Sequence, residues 1–183
     1  MADLQSRFET LEASKAGLLK SLASLDSATL NQKPDAATWS ILQVIAHLTR
    51  SETGILQYIR KKTQDPATLA KSGATAWLRV GVLRTYFSAQ HRGLGSPFKV
   101  KAPRGTGDVP ESGELQPMSL AWAEVREDWR GFIETFPAAL SDRVIFKHPF
   151  VGYLGPAQVL MFMNDHLANH TRQIGRIRKH LGA

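Results

Sequence analysis

Apolar residues recur at helical spacing along most of this chain. Near the N-terminus they are separated by three, four or, across Lys15, seven positions, which places them on one face of an α-helix. This first row comprises Leu4, Phe8, Leu11, Leu18, Leu22 and Leu25. We therefore predict a first helix that ends in the polar, proline-containing segment at residues 31–34.

The pattern predicts a second helix over residues 40–62, with Thr38 or Ser40 as its N-cap. Its apolar row comprises Ile41, Ile45, Leu48, Ile55 and Ile59. Residues 65–91 follow with a weaker helical pattern, in which Val80, Leu83 and Phe87 are in phase. Residues 93–117 contain five Gly and four Pro, which predicts a long loop. Loops of this length are usually functional, so we expect it to cover a binding site.

The clearest helical pattern lies between residues 117 and 141. Its nearly heptad row comprises Met118, Trp122, Val125, Trp129, Phe132, Phe136 and Leu140, and we interpret both tryptophans as core residues. Residues 144–153 predict a short extended stretch with a turn. A last helix is predicted from Pro156, a residue favoured in the first turn, to Leu181 before Gly182. Long helices with few strand signals predict an all-α bundle in one domain over residues 1–183.

Composition restricts both chemistry and location. The 183 residues include no cysteine, so the protein supplies no disulfide, thiolate ligand or thiolate nucleophile. The N-terminal residues lack a signal-peptide core, and no apolar run approaches the roughly 20 residues that cross a bilayer. We therefore expect a cytoplasmic protein without a membrane partner. The net charge of +7 comes without a nucleic-acid-binding motif, so we interpret it as a solvated basic surface.

Two histidines occupy core positions of the last predicted helix. Residues four apart lie about 40° apart around a helix, so His166 and His170 point the same way. They continue an apolar row that comprises Val159, Met163, Ile174, Ile177 and Leu181. A core histidine is often only hydrogen-bonded to a neighbouring carbonyl or hydroxyl. Two imidazoles where a bundle would carry Leu or Met nevertheless indicate a ligand site.

A third histidine, His47, lies on the second predicted helix beside its apolar row. Ser51 and Gly54 share its side of the helix, and their small size either leaves room for a pocket or permits close helix packing. Three imidazoles from two helices can hold zinc, nickel, iron or copper with one or more coordination positions open. We predict that His47, His166 and His170 bind one divalent transition metal.

Other polar residues near these histidines allow two interpretations. Asp165 either orients an imidazole or is a solvated acid on the helix flank, and Asn169 and Gln173 either fix a ligand or simply pack. Ser51 is a candidate pocket residue, and His148 is either at the pocket mouth or an ordinary loop histidine. His91 and His180 are interpreted as surface residues.

Several common catalytic motifs are missing. Leu167 follows His166, so the HExxH helix of metalloproteases is absent, and no histidine has Glu three residues before it, as di-iron bundles require. A GxSxG elbow and a phosphate-binding GxxxxGK loop are also missing. The sequence thus offers no protein nucleophile or base of a known kind.

Together these elements resemble the DinB-like superfamily of four-helix-bundle proteins. The resemblance rests on residues 39–48, on residues 148–156, and on the pattern His166-x-x-x-His170-x-x-Gln173-Ile174. It implies an up-down-down-up bundle, a three-histidine metal site and frequent homodimers. Residues 65–116 form a longer insertion before the third bundle helix than the family pattern predicts. Family members include metal-dependent hydrolases, enzymes that use low-molecular-weight thiols, and proteins without known activity.

The resemblance and the residues together define two functional hypotheses. The first is a hydrolase or a low-molecular-weight-thiol-dependent transferase that acts on a small molecule with zinc or nickel. An external thiol would supply the sulfur that this cysteine-free chain lacks. The second is a non-catalytic metal-binding, small-molecule-binding or stress-response module. We also expect a homodimer through the apolar flank of the early helices, and no nucleic-acid partner.

Overall fold

The computed structural model describes residues 2–72, 109–148 and 152–183, together with Leu78 and Gly81. The α-helices of these ranges are α1 (Ala2–Leu22), α2 (Ser27–Asn31), α3 (Ile41–Thr63), α4 (Leu115–Glu134) and α5 (Pro156–Leu181). Single 3-10 turns lie at Pro66–Thr68 and Ala138–Leu140. Strands β1 (Phe146–His148) and β2 (Gly152–Leu154) form a small antiparallel hairpin before α5. The described ranges are therefore helical apart from this hairpin and one isolated β-bridge, in agreement with the predicted all-α class.

Helices α1 and α5 lie side by side and run in the same direction. Ser14 Oγ donates to Asn164 Oδ1 at 3.2 Å, and nearer the C-terminal ends of both helices Arg178 Nη1 donates to the Ser21 carbonyl at 3.2 Å. Because the contacts advance in the same direction along both helices, α1 and α5 form a parallel pair. The long connection through α3 and α4 permits this arrangement.

Helices α3 and α4 form the second parallel pair. Trp122 Nε1 donates to Glu52 Oε2 at 2.9 Å, and further along both helices Arg60 Nη2 donates to Asp128 Oδ1 at 3.0 Å. This parallel arrangement requires a crossover between the end of α3 and the start of α4, and residues 64–114 provide it.

The two helix pairs run in opposite directions. Along α1 and α4 the contacts advance in opposite directions, because Glu12 meets Arg126 at 2.8 Å whereas the earlier Phe8 lies under the guanidinium of the later Arg130. Helix α1 therefore runs up, α3 and α4 run down and α5 runs up. The predicted up-down-down-up order is confirmed.

Helix α3 begins as its capping signal predicts. Ser40 Oγ accepts a hydrogen bond from the Gln43 backbone N–H at 3.2 Å, and Gln43 Oε1 accepts one from the Ser40 N–H at 3.1 Å. This reciprocal capping box satisfies two donors that a helix start leaves unpaired. Thr38, the alternative cap, instead exchanges hydrogen bonds with Asp35. Ser40 is therefore the N-cap.

The single first helix predicted to residues 31–34 is wrong, because α1 ends at Leu22 and a separate helix α2 begins at Ser27. Asp26 starts the second helix by accepting the Thr29 N–H at 2.7 Å through its carboxylate. The apolar residues keep their helical spacing through Leu25, beyond the end of α1, so periodicity alone does not reveal the break between the two helices.

The predicted end of the fourth helix is also wrong. Helix α4 begins at Leu115, inside the predicted loop, and ends at Glu134 rather than near residue 141. Pro137 explains the end, since proline disfavours helical backbone at the preceding residue and cannot donate a helical hydrogen bond. Phe136 and Leu140 are still buried in the core beyond the helix.

Most of the predicted insertion lies outside the described residues. The predictions for residues 73–77, 79–80 and 82–108, including Val80, Leu83 and Phe87, fall there. In the described part, a 3-10 turn follows α3, and Lys71 pairs with Arg143 in an isolated antiparallel bridge. No helix of the described ranges is long and apolar enough to cross a membrane.

A buried ionic cluster lies among α1, α3 and α4. The guanidinium of Arg126, which is fully buried, donates to both carboxylate oxygens of Glu52 at 2.6 and 2.8 Å and to Glu12 at 2.8 Å. Trp122 and Trp129 are core residues, as predicted, and their indole N–H groups donate to the Glu52 carboxylate and carbonyl. The cluster thereby compensates two charges that burial would otherwise make very costly.

Candidate metal centre

The three predicted ligand histidines converge between α3 and α5. His47 lies in the second turn of α3, while His166 and His170 occupy successive turns of α5. One ring nitrogen of each lies within 4.8 Å of the others. Because atoms so spaced fit inside a circle of about 2.8 Å radius, the three nitrogens lie within the predicted 4 Å or so of one common point.

The spacing and the donor set fit a transition metal. The Nε2 atoms of His166 and His170 are 3.0 Å apart, which suits two ligands of one ion at metal–nitrogen distances of about 2.0–2.1 Å. The widest separation, 4.8 Å, exceeds the roughly 3.3 Å between two nitrogen ligands of a tetrahedral ion, so binding requires at least one ring to move by about 1 Å. In the described ranges no carboxylate joins the group, which leaves nitrogen ligands suited to zinc, nickel, iron or copper.

Burial keeps two of these imidazoles, those of His166 and His170, in the neutral form. His47 is buried and the other two are half-buried. Burial, followed by repulsion from the neighbouring histidines, lowers the pKa of His166 well below its ordinary value. Burial likewise lowers the pKa of His170 to about 4. Neutral imidazoles with an available lone pair are therefore present at pH 7, as metal binding requires.

Gln173 lies directly against one of the histidines. Its Oε1 atom is 2.7 Å from Nδ1 of His170, the ring nitrogen that faces away from His166. Asp165 and Asn169 are half-buried on the flanks of the same helix, and Ser51 is half-buried one turn after His47. Gln173 is therefore placed to orient a ligand histidine, one of the two roles considered for it.

His148 lies close to the centre but outside the ligand group. It is buried at the end of β1, and its ring centroid is 4.5 Å from that of Phe162. Phe162 in turn stacks on His166, at 5.6 Å between centroids and 21° between planes. Burial lowers the pKa of His148 to about 4. The interpretation as an ordinary loop histidine is therefore wrong, because the ring packs one aromatic residue away from the ligands.

Two aromatic residues at this site had no predicted role. The half-buried Trp39 packs on His47, with 5.0 Å between ring centroids. Phe162 is four residues before His166 on the same helix, so helical spacing could have placed it there. Trp39 precedes the α3 N-cap, where no periodicity applies, and the sequence carried no comparable signal for it.

Gly54, one of the two small residues on the His47 side of the helix, does not pack closely against a described neighbour. A Cβ atom built at Gly54 meets no described atom within 4 Å, and Gly54 is exposed. The close-packing alternative therefore has no support in the described part of the chain. His180 is exposed, as predicted, whereas His91 lies outside the described residues.

The sequence profile of the DinB superfamily matches residues 10–174, nearly the whole chain. The protein belongs to the DinB superfamily. This match confirms the resemblance inferred from the histidine pattern. No curated protein matches the sequence.

Among solved structures, this DinB superfamily chain is similar to YfiT from Bacillus subtilis, described as "a probable metal-dependent hydrolase with an unusual four-helix bundle topology". The two are 15% identical, with a TM-score of 0.62 over 98% of this chain and 87% of YfiT. At this identity the likeness establishes the shared fold. The DinB fold thus brings three histidines from two antiparallel helices to one point.

Proposed function

We propose that this DinB superfamily protein binds one divalent transition metal, zinc or nickel, through His47, His166 and His170. We further propose that it acts on a small molecule, as a metal-dependent hydrolase or as a transferase that uses a low-molecular-weight thiol. The observation that carries the proposal is the convergence of three imidazoles from two helices within 4.8 Å.

The chemistry follows from the ligands. Neutral histidines leave the double charge of a divalent ion uncompensated, so the bound metal would acidify a water or thiol in an open position and polarise a substrate oxygen. His47, His166 and His170 hold and orient the ion. Trp39 and Phe162, which pack on two of these rings, form apolar walls that restrict water and favour a small substrate.

Two observations bear on the reaction class. The description of YfiT as a probable metal-dependent hydrolase, together with the shared fold, supports hydrolysis. The absence of cysteine from the chain means that any thiol chemistry must use an external thiol. Both routes use the same open position and differ only in whether water or the thiol attacks.

The second candidate function is a non-catalytic metal-binding or stress-response module. It is favoured by the site's surroundings, because no carboxylate and no fourth histidine of the described residues joins the three-histidine group. Asp165 is one residue from His166, about 100° around the helix, and in an enzyme it would serve as an orienting group. We also propose that residues 1–183 form a single domain.

The experiment that separates the two candidates is a turnover assay on fully metal-loaded protein. Esters, amides and electrophile–thiol pairs are offered to the native chain and to His166→Ala, with His180→Ala as a matched control because His180 is exposed. An enzyme turns over at least one class, loses that activity in His166→Ala and keeps it in His180→Ala. Metal-loaded protein that turns over none of them supports the binding module.

A further inference from the structure

We propose that Gln173 is a positioning residue that fixes the proton of His170 on Nδ1, so that Nε2 is the atom presented to the metal. The inference deepens the proposed function, although its first test needs no metal. Its basis is the short contact between Gln173 Oε1 and His170 Nδ1, at 2.7 Å.

The chemistry of the two atoms determines the tautomer. An amide oxygen only accepts hydrogen bonds, so His170 Nδ1 must carry the hydrogen that it shares with Gln173. A neutral imidazole has one N–H, and its other nitrogen then has a free lone pair. Nε2 of His170 is thereby left as a ligand atom, and it is this atom that faces His166.

The contact between the two ligand histidines agrees with this assignment. Their Nε2 atoms are 3.0 Å apart, a distance at which two bare lone pairs repel each other. Since His170 holds its proton on Nδ1, His166 donates from Nε2 in the metal-free protein. To serve as a ligand, His166 must move that proton to its own Nδ1, whereas His170 is already in the ligand tautomer.

The bond is local, which makes it robust. Gln173 lies three residues after His170 on α5, so the two side chains are neighbours on one helix and need no tertiary contact to meet. A residue that only filled space would not need an oxygen at this point. Leucine in its place would preserve most of the packing and remove the acceptor.

The first test reads the tautomer directly. Long-range ¹H–¹⁵N spectra of the metal-free protein should show His170 protonated at Nδ1 and bare at Nε2. Gln173→Leu should lose this preference and Gln173→Glu should keep it. Asn164→Leu, which removes an amide from the same helix that bonds to Ser14, should leave the His170 signals unchanged. Native protein with His170 protonated at Nε2, or a Gln173→Leu spectrum identical to the native one, would overturn the proposal.

The second test measures metal binding. Gln173→Leu should weaken zinc or cobalt binding about 10–100-fold and change the visible spectrum of bound cobalt, and Gln173→Glu should restore both. Equal affinity in native and Gln173→Leu protein overturns the positioning role. Native protein that binds no metal overturns the proposed function instead, and the tautomer is then still decided by the metal-free spectra.

Discussion

The guanidinium of Arg126 holds both carboxylate oxygens of Glu52 in the interior of the bundle, at 2.6 and 2.8 Å. The pair joins α4 to α3 five residues beyond His47, on a face about 140° around α3 from the metal centre. The ionic cluster and the histidine site are thus separate parts of one helix.

The first prediction concerns the stability of this pair. Glu52→Gln should lower the free energy of unfolding by roughly 3–5 kcal/mol, because it removes the buried countercharge of a buried guanidinium and leaves it only the less buried Glu12. Asp128→Asn, which breaks the exposed pair with Arg60, should cost less than about 1 kcal/mol. Urea unfolding followed by circular dichroism measures both. Equal small losses in the two variants would show that the buried pair does not hold α3 against α4.

The histidine site could be predicted from the sequence, whereas the ionic cluster could not. His166 and His170 interrupt an apolar row, so helical periodicity identifies them, and their partner His47 lies beside a second row. Glu52 and Arg126 give no such signal, because charged residues on a helix are ordinarily solvent-exposed and only the packing of α3 against α4 shows that these are buried.

Helix ends could likewise be predicted where the sequence carries a local signal, and not where it carries none. The capping box at Ser40 and the proline at Pro156 are local signals, and both helix starts agree with the prediction. The break after Leu22 and the end of α4 at Glu134 were missed because apolar residues stay in phase beyond them, at Leu25 and Phe136. These two side chains still pack against the core although their backbone is no longer helical.

The second prediction concerns pH. The pKa of His148 is lowered by burial to about 4, so below pH 6.5 the unfolded chain takes up a proton that the folded chain resists. The resulting stability is complete above pH 6.5 and is lost as pH falls towards 4, by on the order of 3 kcal/mol. Urea unfolding of metal-free protein between pH 7 and pH 4 should therefore show a steeper loss in native protein than in His148→Leu. Parallel curves for the two proteins would contradict the burial of a neutral His148.

The third prediction concerns Trp39. Its ring lies 5.0 Å from that of His47, so a paramagnetic ion such as nickel at the three histidines should quench its fluorescence. Trp39→Phe should lose most of the quenching while it binds zinc as the native protein does. Undiminished quenching in Trp39→Phe would place the metal elsewhere.

The fourth prediction concerns assembly. We expect a homodimer, as the family resemblance implies. The apolar row of α1 is buried within its own chain, and the exposed large apolar residues of the described ranges are Tyr58, Leu78, Leu120 and Tyr153. Light scattering at micromolar concentration gives the mass, and a value near 20.2 kDa would contradict the dimer.

The central claim is tested most directly by metal content. Protein purified without an affinity tag and dialysed against zinc or nickel is analysed by native mass spectrometry, alongside His47→Ala, His166→Ala, His170→Ala and the exposed control His180→Ala. We predict one tightly bound ion per chain in native protein and in His180→Ala, and its loss from each of the other three variants with helical content retained. One ion per chain in all five proteins would contradict the three-histidine centre.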